Sequence, residues 1–350
     1  MAAGAEVNRR GLHHCTGLLW AAGKGNLELV HLFLRCDTIT QSHISIYFPS
    51  LRHGAKVEAG DKYGTTPLIW ACRGGHGGVV GALLDAGAMV DTAGMYQWSP
   101  LLVAVKGNYP AIVALLLKHS ANVSNVGQEG LTPLAMACKE GSTDIVYQLV
   151  AAGAFLNQNR GDSNLILACK GGHKAIVEVL LKKCADVDTR GREGKTGLYW
   201  AVEKNHSALV RLLLAAGADM EVVTEEGNTA LLRAVKNRNV EIVQLLLERK
   251  AKVTAVDKVG DTALHVAMRA RSKVATHFHL SLHFSSYSFS PSHSPPTHSP
   301  VHPQTIVELL LRNPKNSQLL YKPNRWPGNP RTLRNPRIET NPLTILNMML

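Results

Sequence analysis

A leucine- and alanine-rich phrase returns every 33 residues along this chain. Its register alanine falls at Ala71, Ala104, Ala137, then two residues early at Ala168, and again at Ala201, Ala234 and Ala267, with an earlier copy at Ala21. A unit of that size cannot bury its own apolar face, so copies in register predict a stack in which each unit shelters the next. Within the phrase a glycine opens a turn (Gly64, Gly130, Gly161, Gly194, Gly227 or Gly260), and two residues later stands Thr66, Thr132, Ser163, Thr196, Thr229 or Thr262. Such a hydroxyl accepts a hydrogen bond from an unpaired amide at a helix start. Pro67, Pro100 and Pro133 follow directly in three copies, where a missing N–H is harmless and the fixed φ suits a first turn.

The spacing predicts two short antiparallel helices per unit. Leu68, Ala71 and Cys72, or Leu134, Ala137 and Cys138, make one apolar stripe, and a break such as Gly74-Gly75-His76 or Gly171-Gly172-His173 ends it. A second helix carries Ile145, Val146, Leu149 and Val150, or Ile242, Val243, Leu245, Leu246 and Leu247, and closes on Gly87-Ala88, Gly153-Ala154 or Gly217-Ala218. The fold class is therefore all-α: stacked helix-turn-helix units with projecting turns. Thr66-Pro67-Leu68, Thr132-Pro133-Leu134 and Thr262-Ala263-Leu264-His265, at this period, resemble ankyrin repeats. Eight units can be placed, and the resemblance implies an ankyrin solenoid that binds other proteins.

Six cysteines suggest a disulfide frame at first sight, but Cys72, Cys138 and Cys169 fill one equivalent core position in three units. They read as small apolar residues in a reducing compartment, and Cys15, Cys36 and Cys184 add no ligand spacing. No apolar signal core opens the chain and no run of 18 apolar residues could cross a bilayer, which points to a cytoplasmic chain without a membrane span. The net charge of +12 suits an anionic partner. Nucleic acid is the weaker choice, because the basic excess lacks interleaved stacking aromatics.

Two interruptions break the register. Ala21 and Ala71 lie 50 residues apart, and the excess falls at about 35–53, including the β-prone Ile44-Ser45-Ile46-Tyr47-Phe48. The second spans 274–304; from His277 to Pro303 it holds six histidines, eight serines and five prolines without a charged residue, which predicts disorder. Removing Val274 through Gln304 restores the register, and its ends match intron borders, so a retained intron is one reading of it. The expected organisation is a flank at 1–16, repeats at 17–273, the insertion at 274–304, the end of the last repeat at 305–324 and an irregular basic tail at 325–350.

No residues read as catalytic, cofactor-binding or metal-ligating. The histidines of the insertion repeat no ligand spacing. Gly194-Lys195-Thr196 mimics the end of a phosphate loop but falls on the turn and cap positions of a unit. His76, His173 and His206 occupy the break between helices, where an imidazole bonds to turn carbonyls. Two places after each register alanine stand Arg73, Lys106, Lys139, Lys170, Glu203, Lys236 and Arg269, six of them cationic. This column is the candidate partner-binding surface, to be weighed against cations that merely relieve unpaired carbonyls at a helix end. Bound there, an acidic or phosphorylated segment would be weakened by reversing Lys139 and Lys170. Trp70 and Trp200, like Trp20, precede the register alanine and are candidate anchors, expected to be partly exposed.

Further phrases are more individual: Asp61-Lys62-Tyr63-Gly64-Thr65-Thr66-Pro67-Leu68, Tyr199-Trp200-Ala201-Val202-Glu203-Lys204 and Leu309-Leu310-Leu311-Arg312-Asn313-Pro314-Lys315. From about Gly17 to Asn324, outside the interruptions, they resemble the N-terminal arrays of the ankyrin repeat-rich membrane-spanning scaffolds, the kinase-D-interacting substrates. That resemblance implies a scaffold on the cytosolic face of the plasma membrane, with neurotrophin-receptor tails, protein kinase D and signalling adaptors as partners. In that family a P-loop NTPase region and membrane spans follow the array; neither occurs in this sequence, which suits a truncated product. The expected function is a non-enzymatic interaction scaffold. The alternatives are a generic ankyrin adaptor such as a ubiquitin-ligase substrate receptor, or a fragment of a larger P-loop protein.

Overall fold

The structure, a computed structural model, describes residues 7–35, 55–127, 129–157, 161–269, 306, 309 and 310. The segment at Ile44–Phe48, Cys36, the 274–304 insertion, the 325–350 tail and most of 305–324 lie outside the described residues. The chain divides into two compact units, Met1–Asp186 and Val187–Leu350.

In the first unit helices come in pairs: α1 (Gly17–Lys24) with α2 (Leu27–Arg35), α3 (Pro67–Gly74) with α4 (Gly77–Asp85), α5 (Pro100–Lys106) with α6 (Pro110–Lys118), α7 (Pro133–Glu140) with α8 (Thr143–Ala151), and α9 (Asn164–Gly171) with α10 (Lys174–Lys182). First helices pack on first helices of the neighbouring pair, and second on second. The second unit repeats this with α11 (Gly197–Glu203) and α12 (Ser207–Ala215), then α13 (Ala230–Lys236) and α14 (Val240–Glu248). Residues 263–269 form a further first helix, and Ile306 and Leu310 are helical and buried. Among the described residues there is no strand, only an isolated bridge between Val256 and Thr262.

The helices form where the caps permit. Thr16, Thr66, Ser99, Thr132, Ser163, Thr196 and Thr229 each accept a hydrogen bond from the amide three residues on. Thr262 departs from this pattern: its N–H and its hydroxyl both meet His265 Nδ1, so the side chain reaches back from inside the helix. All eight register alanines are buried, as are Leu68, Leu134 and Leu231. The apolar stripe of each helix is thus sheltered by its neighbours, and no pair carries a core alone.

Glycines mark close approaches between repeats of the first unit. The ring of His76 lies over Gly74 of its own repeat and Gly25 of the one before; Tyr109 covers Gly107 and Gly75, and His173 covers Gly171 and Gly141. A β-carbon on any of these glycines would enter the ring. The imidazole Nε2 of His76 reaches Gly23 O at 3.2 Å, and that of His173 reaches Lys139 O at 3.2 Å, as the turn position predicts.

A second inter-repeat device is acidic. In the first unit Glu58 Oε1 accepts from Met89 N–H at 2.8 Å and Asp91 Oδ1 from Asn122 N–H at 2.9 Å. In the second, Asp188 Oδ1 accepts from Asp219 N–H at 2.9 Å and Glu221 Oε1 from Lys252 N–H at 2.8 Å. Every one of these bonds spans 31 residues. Asn8 makes the equivalent bond to Lys56 N–H across 48 residues.

Candidate functional site

The cation column follows from the register of the first helices, since each member occupies the last turn of its helix. A residue eight positions earlier stands beside the cap hydroxyl, and in five of the seven repeats its side chain meets the column member. In the first unit these pairs are Thr65 with Arg73, Trp98 with Lys106, Leu131 with Lys139, and Asp162 with Lys170. In the second they are Lys195 with Glu203, Asn228 with Lys236, and Asp261 with Arg269.

What each column member meets depends on that earlier residue. Lys170 forms an ion pair with Asp162, and Arg269 with Asp261. Lys236 Nζ donates to Asn228 Oδ1 at 2.6 Å and to Asp257 Oδ2 at 3.1 Å. Where threonine, tryptophan or leucine stands at the earlier position, the arrangement differs. Arg73 lies 5.1 Å over the Trp70 ring, Lys106 lies 4.6 Å over the Trp98 ring, and Lys139 reaches Glu129 at 3.3 Å on the surface. Unpaired helix carbonyls are therefore not what holds most of these cations; loop carboxylates and indole faces hold them.

Glu203, the anionic exception, sits in a reversed pair. Lys195 Nζ lies 3.7 Å from Glu203 Oε2 and also pairs with Glu193, while Arg233 reaches Glu203 Oε1 at 3.5 Å. The same ammonium stands 4.8 Å from the Trp200 ring and 5.6 Å from that of Tyr199. Desolvation works against the charge on Lys195, but its bond to Glu193 and the nearby Glu203 outweigh it and hold its pKa above the ordinary lysine value. Burial pushes the Tyr199 phenol upward as well. Gly194-Lys195-Thr196 thus serves as turn, ion-pair partner and cap, and its ammonium is committed to carboxylates of its own unit.

Trp20, Tyr63, Trp70, Tyr96 and Trp98 lie on the first three repeats of the first unit, while Tyr147 and Phe155 are exposed on the fourth. Trp20 is 61% exposed, with Lys24 at 6.0 Å from its ring. Trp70 is half-buried: its ring rests on Gly23 and its Nε1 donates to Asp61 Oδ2 at 3.2 Å. At the turn tips Tyr63 and Tyr96 are 51% and 54% exposed, and Lys62 lies 4.6 Å over the Tyr63 ring. These tip tyrosines, Trp98 and the residues eight before each column member were missed by sequence reasoning. The signal was present, because Asp162, Asn228 and Asp261 recur at one position with a cation eight residues on.

Cys72, Cys138 and Cys169 are fully buried, and desolvation raises their thiols to about 12, which makes them apolar packing groups. Among the described residues no cluster of histidine, cysteine and acidic side chains could hold a metal ion, and no helix is long and apolar enough to cross a membrane.

A protein-family profile described as Ankyrin repeats (3 copies) matches residues 2–94, 86–160, 152–224 and 198–278. Among solved structures, the human ASB11 ankyrin repeat domain is 29% identical, with 57% of this chain and 91% of that one covered at a TM-score of 0.54. The ankyrin repeat domain of Bcl-3, a member of the IkappaB protein family, is 24% identical over 67% of this chain and 98% of its own, also with a TM-score of 0.54, a likeness of fold alone. No curated protein matches the sequence.

Proposed function

The chain belongs to the ankyrin-repeat family, generally a protein-binding module, and on that premise we propose that it is a non-enzymatic scaffold holding acidic or phosphorylated segments of signalling proteins. The observation that carries this reading is the exposed Arg73 and Lys106, each lying over an indole face with no ion pair to another described residue. A charge left without a counter-ion on a rigid frame raises the local potential and speeds encounter with an anionic partner. Lys139 and Lys170, which sequence reasoning chose for reversal, already have carboxylate partners, so Arg73 and Lys106 are the sharper choice.

The resemblance to membrane-spanning neurotrophin-receptor scaffolds supplies the proposed partners: receptor tails, protein kinase D and adaptors at the cytosolic face of the plasma membrane. The full chain, immobilised and exposed to neural lysate, should retain such proteins, and an Arg73→Glu/Lys106→Glu chain should retain less of them. Retention of the same proteins by an unrelated helical protein, or of none by this chain, would overturn the scaffold reading.

A further inference from the structure

Resting on that reading, we infer that the first three repeats of the first unit form a docking face for an extended peptide with acidic residues at positions i and i+3. In the other repeats the column cations are already matched by carboxylates or an amide oxygen: Lys139 by Glu129, Lys170 by Asp162, Lys236 by Asn228 and Asp257, Arg269 by Asp261. Arg73 and Lys106 differ, and so do Lys24 and Lys62. Each lies over an aromatic ring, Trp70, Trp98, Trp20 or Tyr63, and forms no ion pair among the described residues. Stacking fixes the cation while leaving its outward donors unused, so less side-chain freedom is lost when an anion arrives.

The spacing of the acids follows from geometry. Arg73 and Lys106 hold the same position on α3 and α5, first helices that pack directly together. Packed helices lie about 8–10 Å apart, and an extended peptide in the polyproline II conformation advances about 3.1 Å per residue and, with three residues per turn, brings side chains i and i+3 to one face. Three residues cover one repeat. Two carboxylates at i and i+3 therefore reach Arg73 and Lys106 together.

A single strand of nucleic acid is the competing occupant, since it also seeks cations beside aromatic rings. Two observations favour the peptide. One face each of Trp70, Trp98 and Tyr63 already carries a cation, which leaves less ring surface for a base to stack on. Asp61, bonded to the Trp70 indole, brings negative charge into the same face, which an unbroken phosphate backbone meets at every step and a peptide can avoid.

The test is fluorescence anisotropy of the full chain with a labelled Glu-x-x-Glu peptide, the same peptide respaced to Glu-x-Glu, and oligothymidine of matching length. Arg73→Gln/Lys106→Gln should weaken the Glu-x-x-Glu peptide by about tenfold. Lys139→Gln/Lys170→Gln, with the same change in net charge, should weaken it by less than about twofold, and Arg73→Lys should preserve binding. Circular dichroism melting confirms that each variant is folded. Equal effects of the two neutral pairs, no preference for i and i+3 spacing, or tighter binding of oligothymidine would each overturn the inference. Should lysate partners remain on the Arg73→Gln/Lys106→Gln chain, the scaffold reading stands and the acidic docking face falls; an unsubstituted chain that holds neither the peptide nor any lysate partner fells both.

Discussion

Lys195 and Glu203 make the same contact as Asp162 and Lys170 with the charges exchanged, eight residues apart in each case. The anion in the cation column is therefore a compensated position rather than a gap. Lys195 is the more buried partner, its side chain 8% exposed against 19% for Glu203.

Glu203→Lys should destabilise the second unit by about 1–3 kcal/mol, because it leaves a buried ammonium facing a like charge. Adding Lys195→Asp should recover at least half of that loss by rebuilding the polarity of Asp162 and Lys170. Urea denaturation of the four chains of the cycle measures the coupling. The folded pKa of Lys195 is raised, so its contribution is fully present below 10.5 and disappears as pH climbs through the higher folded value.

Gly141→Ala combines two penalties. The residue has a φ of 83°, and its new methyl enters the ring of His173. A loss of about 2–4 kcal/mol is expected. His173→Ala in the same chain should relieve the steric share and leave the share due to φ, which thermal melting of the single and double variants separates.

Six second helices end on a left-handed residue, and only three of them use glycine: Gly87, Gly153 and Gly217 against Ser120, Cys184 and Lys250. An added β-carbon meets nothing near those glycines, so the preference is one of backbone alone. Ser120→Gly and Lys250→Gly should each raise stability by about 0.5–1 kcal/mol. Unchanged melting temperatures would contradict this.

Thiol reactivity should separate the cysteines cleanly. With pKa values near 12, Cys72, Cys138 and Cys169 expose about one thiolate in ten thousand at pH 8 and are shielded besides. Iodoacetamide at pH 8 should label Cys184, which is exposed, while those three react only after denaturant is added. Peptide mass mapping reads the result.

The helix pairs, their caps and the role of the buried cysteines were legible in the sequence because each depends on residues within a few positions of one another or on the period itself. The glycine doublets were legible as breaks but not as spaces. Gly25 and Gly141 are small because His76 and His173, a repeat further on, lie against them, and that fact belongs to the stacking of repeats. The fate of the column cations was hidden for a similar reason. Lys170 and Arg73 look alike as residues, and only the loop folded back beneath them, carrying Asp162 in one case and Thr65 in the other, decides which is neutralised.

The acidic bonds spanning 31 residues have an evolutionary consequence. Glu58, Asp91, Asp188 and Glu221 each grip a main-chain amide, a group that every residue but proline presents. A duplicated or deleted repeat therefore meets its new neighbour with the joint already compatible, whatever side chains that neighbour brings. Such an array can lengthen or shorten by recombination without waiting for matching mutations.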